Sequence, residues 1–529
     1  MSISEMDVRP AVRPTQPQQQ PQRTMRALRD RRDELAGRIA LGDRVAVERQ
    51  HRLGKRTARE RLELLLDEGS FVEVDMYRRG TTGAHTDGVV AGSGTVDGRR
   101  VFVYAQDFTI SGGSLGAGHA EKIHKVMDMA VATGSPIVAL NDSGGARIQE
   151  GVMALNGYGG IFRRQVEASG IVPQISVVLG PCAGGAAYSP ALADFTFMVR
   201  ETAQMYLTGP DVVQAVSGER VTHNQLGGAD VHGSMSGVAS FVHDDEESCL
   251  ADVRYLLSLL PSNNLEPPPS CEPPSDDDDV RPDLASLVPV SPNQPYDIRA
   301  VIGDVVDDGE FLEVHEGWAA NVVCAFARVG GEVVGVVGNQ PLVLAGVLDT
   351  AASQKAARFV RFCDAFNIPL VTLVDVPGFL PGTDQEYGGA IRHGAKLLYA
   401  YCEASVPRVQ VILRKAYGGA YIVMDSRSIG CDLSLAWPTN EIAVMGAEAA
   451  VNVIHRKELA AAADPDELRQ VLVARYADEL AHPYYAAERG LVDDVIDPAQ
   501  TRAAVRRGLE MLRDKRRRSP ARKHGNVPL

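Results

Sequence analysis

Two glycine-rich turns contain the residues of this sequence best suited to chemistry. GPCAGGAAY (residues 180–188) and KAYGGAYI (residues 415–422) each follow an apolar run and precede a helical pattern. Paired glycines let the backbone approach a ligand closely, and N–H groups at a helix start have no acceptor within the helix. Two such N–H groups can hold a developing oxyanion without a charged side chain. Each turn therefore predicts an oxyanion hole, although a tight packing turn between strand and helix is the alternative.

A second pair of turns precedes the first along the chain. NDSGGARIQEG (residues 141–151) and VDVPGFLPGTDQE (residues 374–386) should line the same clefts as the two glycine-rich turns. We expect Asp142 and Asp375 to cap helices or to bond turn amides, as aspartates in such turns commonly do.

Nucleophilic and metal chemistry receive little support from the remaining polar residues. Ser143 and Ser189 stand in turns without the GxSxG pattern of a nucleophile elbow. The histidines are scattered without HExxH spacing, so neither a metal site nor a catalytic triad is predicted. Cys182 lies inside the first turn, and we expect it to be a small buried packing residue.

The two halves of the chain resemble each other, which explains why these turns come in pairs. Four segments recur in the same order, separated by between about 233 and 240 residues. The pairs are LLDEGSFVEV with VVDDGEFLEV, GRRVFVYAQD with GEVVGVVGNQ, SPIVALNDSGG with IPLVTLVDVPG, and VPQISVVLGPCAGGAAY with VPRVQVILRKAYGGAYI. Collinear matches at nearly constant spacing indicate an internal duplication, and duplication favours a functional interpretation of both turns.

Strands and helices must alternate in each half to position these turns. Apolar runs predict strands at residues 101–105, 137–140, 175–179, 333–337, 370–374 and 409–413, and helices at 119–133 and 352–366. This alternation is typical of βαβ units in an α/β fold with buried parallel strands. Sites in such folds lie beyond the carboxyl ends of the strands, where the glycine-rich turns fall.

Composition divides the chain into two domains and a tail. Residues 1–23 are rich in Pro and Gln and are predicted to be disordered, whereas residues 24–66 have a helical pattern. Prolines and four consecutive aspartates at residues 261–283 favour an interdomain linker, a long surface loop being the alternative. The predicted domains therefore cover residues 24–285 and 290–525.

Length and charge exclude several classes of protein. The 529 residues include 45% hydrophobic residues and have a net charge of −14, which argues against a disordered chain and a dedicated nucleic-acid binder. Seven widely spaced cysteines without a CxxC pair predict neither a zinc ribbon nor a disulfide framework. The first residues lack the apolar core of a signal peptide, and no apolar run is long enough for a membrane span. We expect a cytoplasmic protein.

Taken together, the motifs resemble a known family. NDSGGARIQEG, GPCAGGAAYSPAL, DVPGFLPGTDQE, RKAYGGAY and the ending RKHGNVPL are similar to the carboxyltransferase (β) subunit of biotin-dependent acyl-CoA carboxylases. ARIQEG resembles the acetyl/propionyl-CoA branch more than the methylcrotonyl-CoA branch. The resemblance covers residues 24–529 and implies two tandem crotonase-like (ClpP/crotonase) domains, the first for acyl-CoA and the second for biotin.

The resemblance also implies partners, a mechanism and site residues. The carboxyl group would arrive as carboxybiotin on a biotinylated α subunit, and active sites would lie at dimer interfaces, usually within a homohexamer, without a metal. The ureido oxygen of biotin and the thioester oxygen would each pass through an oxyanion. The implied thioester oxyanion hole is Gly184 and Gly185 with Ala186; the implied ureido hole is Gly419 and Ala420. Further implied contacts are Ala183, Gly144 and Gly145 for the acyl-CoA, and Gly418 for biotin.

One position departs from the family pattern and three other functions stay open. Ile422 follows YGGAY where propionyl-CoA-preferring members commonly have Asp, so propionyl-, acetyl- and butyryl-CoA are all candidate substrates. A biotin-dependent decarboxylase or transcarboxylase subunit could use the same two turns. A non-catalytic assembly subunit is disfavoured by the intact glycines, and a crotonase-type hydrolase by the lack of a positioned acid or base.

Overall fold

The computed structural model of the chain describes residues 24–274, 279–517 and 520–528. The predicted disordered tail, residues 1–23, lies outside these ranges. Within them, sixteen strands form two eight-stranded sheets. The first sheet contains β1 Val72–Val74, β2 Val89–Val96, β3 Arg99–Gln106, β4 Ile137–Ser143, β5 Gln174–Ala183, β6 Phe195–Val199, β7 Gln204–Tyr206 and β8 Phe241–His243. The second contains β9 Phe311–Val314, β10 Val322–Val329, β11 Glu332–Asn339, β12 Leu370–Val376, β13 Arg408–Tyr417, β14 Leu433–Ala436, β15 Glu441–Ala443 and β16 Asp494–Val495.

The two sheets have the same topology, which confirms the predicted duplication. The strand orders are β1-β2-β3-β4-β5-β6-β8 and β9-β10-β11-β12-β13-β14-β16, with β7 on β5 and β15 on β13. Strands β3 to β6 and β11 to β14 are parallel neighbours, as expected for βαβ units. The first parallel strand of each half also forms an antiparallel hairpin with the strand before it, β3 with β2 and β11 with β10. The apolar patterns of the sequence did not predict these hairpins.

Helices cover the sheets and connect the parallel strands. Those of the first half are α1 Met25–Leu41, α2 Arg44–Arg52, α3 Ala58–Leu65, α4 Ala117–Thr133, α5 Val152–Ala168, α6 Tyr188–Leu192, α7 Pro210–Ser217, α8 His223–Gly227, α9 Ala229–Val231 and α10 Glu246–Leu259. Those of the second are α11 Leu284–Leu287, α12 Ile298–Val305, α13 Thr350–Ala365, α14 Thr383–Tyr387, α15 Ala390–Glu403, α16 Gly418–Val423, α17 Ala447–Ile454, α18 Arg456–Ala461, α19 Pro465–Leu480, α20 Pro483–Ala487 and α21 Thr501–Leu512.

The halves are packed against each other through aromatic side chains. Phe195 of β6 lies 4.6 Å, centroid to centroid, from Phe362 of α13 and 5.8 Å from Phe326 of β10. All three rings are buried in one core cluster that includes residues of both sheets. Aromatic burial of this kind stabilises the contact and fixes its geometry, so the two sheets have a defined relative orientation.

The connection between the halves is bound to the second half. Arg328 of β10 donates to the carbonyls of Ser258 and Pro269, and the Asn367 side chain donates to the carbonyls of Asn264 and Glu266. These bonds satisfy a carbonyl in the last turn of α10 and three carbonyls of the proline-rich segment that follows it, and they hold that segment against the second half.

Candidate active site

The first glycine-rich turn lies at the carboxyl end of β5. The strand ends at Ala183, a single 3-10 turn follows over Gly184–Ala187, and α6 starts directly after it. Gly184 has a φ of +63°, a conformation that L side chains rarely adopt. The first N–H groups of this helical turn have no acceptor within it, so they are available to a ligand.

The second turn has the same construction in the second sheet. Strand β13 ends at Tyr417 and α16 starts at Gly418, which has a φ of +58°. The backbone therefore turns from strand to helix at Gly418 just as it does at Gly184. Gly419 and Ala420 are the next two residues, and their N–H groups belong to the first turn of α16.

Space beside the two turns differs, and it is largest at Gly419. Among the described residues, and leaving aside its chain neighbours and the backbone of its own helix, no heavy atom lies within 4 Å of the position that a Cβ at Gly419 would occupy. At Gly185 the corresponding nearest atom is Cδ2 of Tyr158, at 3.4 Å. Gly419 is thus not needed for packing within the chain, which is the expected property of a glycine that admits a ligand to its N–H group.

An exposed apolar residue borders each turn at an equivalent place. Leu207 follows β7 and Val444 follows β15, the short strands that pair with the ends of β5 and β13. The position of a Cβ at Gly184 is 3.9 Å from the Leu207 carbonyl oxygen, and that at Gly418 is 3.1 Å from the Val444 carbonyl oxygen. The side chains of Leu207 and Val444 are 57% and 77% exposed. Each turn therefore has an exposed apolar residue beside it.

The NDSGG turn contacts the first glycine-rich turn. A Cβ at Gly145 would lie 2.9 Å from the Ala183 carbonyl oxygen, so the two backbones are in close contact. The Gly144 N–H donates to the Gly112 carbonyl and the Gly145 N–H to Ser143 Oγ, at 2.9 and 3.1 Å. Because both N–H groups already donate within the chain, these glycines would contact a substrate without donating a hydrogen bond to it.

Three titratable side chains near the turns have pKa values shifted by burial. Burial raises the pKa of the Cys182 thiol to about 12, which confirms its prediction as a packing residue. Burial and the neighbouring Glu441 carboxylate, which accepts a hydrogen bond from the Tyr417 hydroxyl, raise the pKa of Tyr417 far above its usual range. Burial also lowers the pKa of Lys415, whose Nζ donates to the Pro292 carbonyl. The N–H groups at the start of each turn are the other polar groups available there.

The prediction that Asp142 and Asp375 cap helices or bond turn amides is wrong for Asp142 and incomplete for Asp375, whose Oδ1 accepts from the Lys415 N–H at 3.1 Å. Both are fully buried in ion pairs: Asp142 accepts from Lys55 Nζ at 2.7 Å and Arg61 NH1 at 2.9 Å, and Asp375 lies 3.0 Å from Arg414 NH2. Sequence reasoning missed these cations because Lys55 and Arg61 are more than eighty positions away from Asp142. The only available signal was the alignment of Asp142 with Asp375 in the repeat.

The remaining predicted residues lie on these same elements. The side chains of Ala186 and Ala420 are buried, and Ile422 is 42% exposed on α16. This exposure shows that Ile422 is not a fully buried core residue. Across the described residues, no three His, Cys, Asp or Glu side chains are grouped so that they could hold a metal ion.

Comparison with known proteins gives these turns a chemical context. A family model described as a carboxyl transferase domain matches residues 49–527. The chain belongs to the carboxyl transferase domain family. It is therefore an enzyme of carboxyl transfer, as the motifs predicted.

Relatives with three different reactions are similar to this carboxyltransferase over nearly its whole length. The carboxyltransferase subunit of propionyl-CoA carboxylase from Haloferax mediterranei is 57% identical, covering 95% of this chain and 98% of the relative. The alpha subunit of methylmalonyl-CoA decarboxylase from Propionigenium modestum is 54% identical, covering 93% and 97%. The crystal structure of the transcarboxylase 12S hexamer, with methylmalonyl-coenzyme A bound, has a TM-score of 0.94 at 51% identity and covers 96% of this chain and 99% of its own. The predicted crotonase-like fold is confirmed by this structural match.

Proposed function

We propose that this carboxyltransferase is the subunit of a biotin-dependent acyl-CoA carboxylase that moves a carboxyl group from carboxybiotin to the α-carbon of a short-chain acyl-CoA. Propionyl-CoA, giving methylmalonyl-CoA, is the foremost candidate, with acetyl- and butyryl-CoA beside it. The observation that carries the proposal is the pair of equivalent strand-to-helix turns, each with amide donors and an adjacent left-handed glycine. A reaction with two carbonyl-type centres needs two such turns.

The chain's own groups would act mainly by holding negative charge. Amides of Gly184 and Gly185, with Ala186, would hold the oxygen of the acyl-CoA thioester as its α-proton leaves, and Ala183, Gly144 and Gly145 would line this site. Amides of Gly419 and Ala420, next to Gly418, would receive the ureido oxygen. Carboxybiotin, when bound, would supply both the carboxyl group and the base. The open space at Gly419 fits a planar ligand that approaches the backbone closely.

We further propose that each active site forms between two copies of the chain, within a hexamer. Exposed apolar residues border both turns, and the burial of such patches commonly drives association. The transcarboxylase 12S relative is described as a hexamer. The biotin would be delivered by a separate biotinylated α subunit. A cytoplasmic location is supported by the seven cysteines, all of which are free thiols.

A reconstitution distinguishes the carboxylase from the two other reactions of its relatives. The purified chain, mixed with a biotinylated α subunit, ATP and bicarbonate, should carboxylate propionyl-CoA with stoichiometric ATP consumption. Avidin should block this reaction, and the chain alone should not carry it out. Loss of CO2 from methylmalonyl-CoA in the absence of ATP would identify a decarboxylase, and passage of the carboxyl group to a second acceptor without ATP would identify a transcarboxylase. Carboxylation by the chain without any biotin would overturn the proposal.

A further inference from the structure

A buried aspartate lies behind the glycine-rich turn in each half of the molecule. Asp142 is the penultimate residue of β4, and Asp375 holds the equivalent place in β12. Both are 0% exposed. A buried carboxylate is costly unless cations and hydrogen bonds compensate its charge, so each half must supply a cation at this place.

The two halves supply that cation from different parts of the chain. In the second half it is Arg414, a residue of β13 itself, whose Nε donates to Asp375 Oδ2 at 3.1 Å. In the repeat, Arg414 is aligned with Gly180 of β5, which has no side chain. A Cβ at Gly180 would lie 2.0 Å from Asp142 Oδ1 and 2.6 Å from Lys55 Nζ. The ammonium group of Lys55 therefore occupies, in the first half, the space beside the strand that Gly180 leaves open.

The cations of the first half come from the segment that precedes the sheet. Lys55 follows α2, and Arg61 belongs to α3. Arg61 connects Asp142 to the rest of the domain, because it also donates to the Glu246 carboxylate at 2.7 Å and to the Leu179 carbonyl at 3.3 Å. Gln50 of α2 donates to Asp142 Oδ2 at 3.0 Å. All four polar partners are at least 95% buried.

An aromatic ring covers the cation in both halves. Lys55 Nζ lies 4.4 Å from the centre of the Phe108 ring, and the Arg414 guanidinium lies 5.0 Å from the centre of the Tyr296 ring. Arg414 also donates to the carbonyls of Ser291 and Gln294, at 2.6 and 2.8 Å. Each half thus combines a carboxylate, a cation and a ring; the aspartates are equivalent in the repeat, whereas the cations and the rings are not.

These contacts reach the backbone of the first turn by a short path. The Lys55–Asp142 pair is packed against Gly180, and the residues after Asp142 lead to Gly145, which contacts the Ala183 carbonyl. Ala183 directly precedes the turn that carries the Gly184 and Gly185 amides. Loss of the Lys55 ammonium would leave the negative charge of Asp142 less well compensated and would open a void beside Gly180. We therefore expect β4 and β5 to shift relative to each other.

We propose that Lys55 and Arg61 are positioning residues of the first glycine-rich turn, so that residues 50–61 set the geometry of one half-site only. The second turn, held by Arg414 from its own strand, does not depend on them. This inference rests on the proposed function, in which the first turn receives acyl-CoA and the second receives biotin. It assigns a half-site-specific role to a segment that contributes no group to the chemistry.

Lys55→Met tests this role because it keeps most of the side-chain volume and removes the charge. The assay is transfer from methylmalonyl-CoA to free biotin by the assembled chain, with separate KM values for the two substrates. We expect kcat/KM for methylmalonyl-CoA to fall about 10- to 100-fold, the usual cost of a small misplacement of catalytic groups. The KM for biotin should stay unchanged, and Lys55→Arg should restore most of the activity. Propionyl-CoA binding, measured by calorimetry, should weaken in parallel.

Arg99→Met is the matched control for the loss of a partly buried cation elsewhere in the first half. Arg99 donates to the carbonyls of Leu257 and Leu260 and is remote in the fold from both turns. Arg99→Met should lower the Tm of the protein without changing the KM for methylmalonyl-CoA or the KM for biotin. Unchanged acyl-CoA kinetics and binding in Lys55→Met, or an equal rise in both KM values, would overturn the inference. Failure of the wild type to transfer any carboxyl group would instead overturn the proposed function, and propionyl-CoA binding would then decide the inference alone.

Discussion

Individual glycines in the two turns have separable roles. Gly184 and Gly418 have positive φ values and are required by the backbone, whereas Gly419 has an ordinary φ and open space beside it. A side chain at Gly419 would therefore leave the fold intact and fill only the space that a ligand needs. Activity and stability can thus be tested independently at this position.

Gly419→Val should abolish most turnover while the protein stays folded and assembled. The branched side chain would keep the ureido oxygen away from the amide, and loss of one oxyanion donor typically costs about 10²–10³ in rate. Enzyme assays, Tm and oligomer mass should be compared with Gly37→Val, a glycine of α1 that also has open space beside its Cβ position. Near-normal kcat in folded Gly419→Val would show that this turn has only a structural role.

Ile422 should determine how strictly the enzyme selects the length of the acyl chain. The apolar side chain of Ile422, the fifth of the six residues of α16, offers contact to short acyl groups, whereas an aspartate there would carry hydration that is costly to remove. One methylene in such a pocket changes specificity by about 10- to 200-fold. We expect Ile422→Asp to change the ratios of kcat/KM among acetyl-, propionyl- and butyryl-CoA, with Ile422→Val as the control that preserves them. Constant ratios in folded Ile422→Asp would exclude this role.

Sequence patterns identified the turns but not the residues behind them. The apolar middle of each strand is continuous, so residues 370–374 were correctly predicted within β12 and residues 409–413 within β13. Both strands extend further into polar residues such as Asp375 and Arg414, because distant partners neutralise their charges. Hydrophobic periodicity contains no information on such partners, and only the alignment of the two halves indicates that these positions matter.

At the scale of elements, α4 and α13 are equivalent long helices that each bury a charged residue. Lys122 of α4 donates to the carbonyls of Thr86 and Val89, and Lys355 of α13 donates to the carbonyls of His315 and Trp318. Burial lowers the pKa of both lysines, to about 8 for Lys122. These bonds attach each helix to the segment at the start of a hairpin. They also place the positive charge of Lys122 near the buried His119.

His119 of α4 should make the protein sensitive to acid. Burial, followed by the charges of Arg147 and Lys122, lowers its pKa to about 3. An unfolded chain takes up this proton below pH 6.5, whereas the folded protein does so only near pH 3, so stability falls as pH falls between these values. The loss attributable to His119 is about 2 kcal/mol at pH 5. Unfolding followed at pH 7 and pH 5 should show a smaller pH dependence for His119→Gln, and an unchanged one for the exposed control His223→Gln. Equal pH dependence in His119→Gln and wild type would contradict the assignment.

For the whole molecule, the exposed apolar surface beside both turns suggests a head-to-tail arrangement of copies. Such an arrangement would bring the first turn of one chain to the second turn of another and would bury Leu207 and Val444 together. Among the described residues, no helix is both long and apolar enough to span a membrane. The proposed use of the surface at Leu207 and Val444 is association with another copy of the chain.

Val444→Lys should dissociate the assembly without unfolding the chain. A lysine in an apolar interface carries a desolvation cost that an exposed lysine does not. Sedimentation and activity should both report smaller, inactive species, whereas Met25→Lys, on the exposed helix α1, should leave mass and activity unchanged. An active hexamer formed by Val444→Lys would place this residue outside the interface.

Gly180 in the first half and Arg414 in the second occupy equivalent strand positions, and this difference bears on the history of the chain. Once an ancestral domain had been duplicated, each copy retained its aspartate, but the two copies came to neutralise it by different routes. A half with glycine at this strand position depends on an amino-terminal helical extension to neutralise its aspartate. A half with arginine there does not. We therefore expect the second half, expressed by itself, to keep its buried aspartate neutralised, and the first half to do so only when residues 50–61 are included.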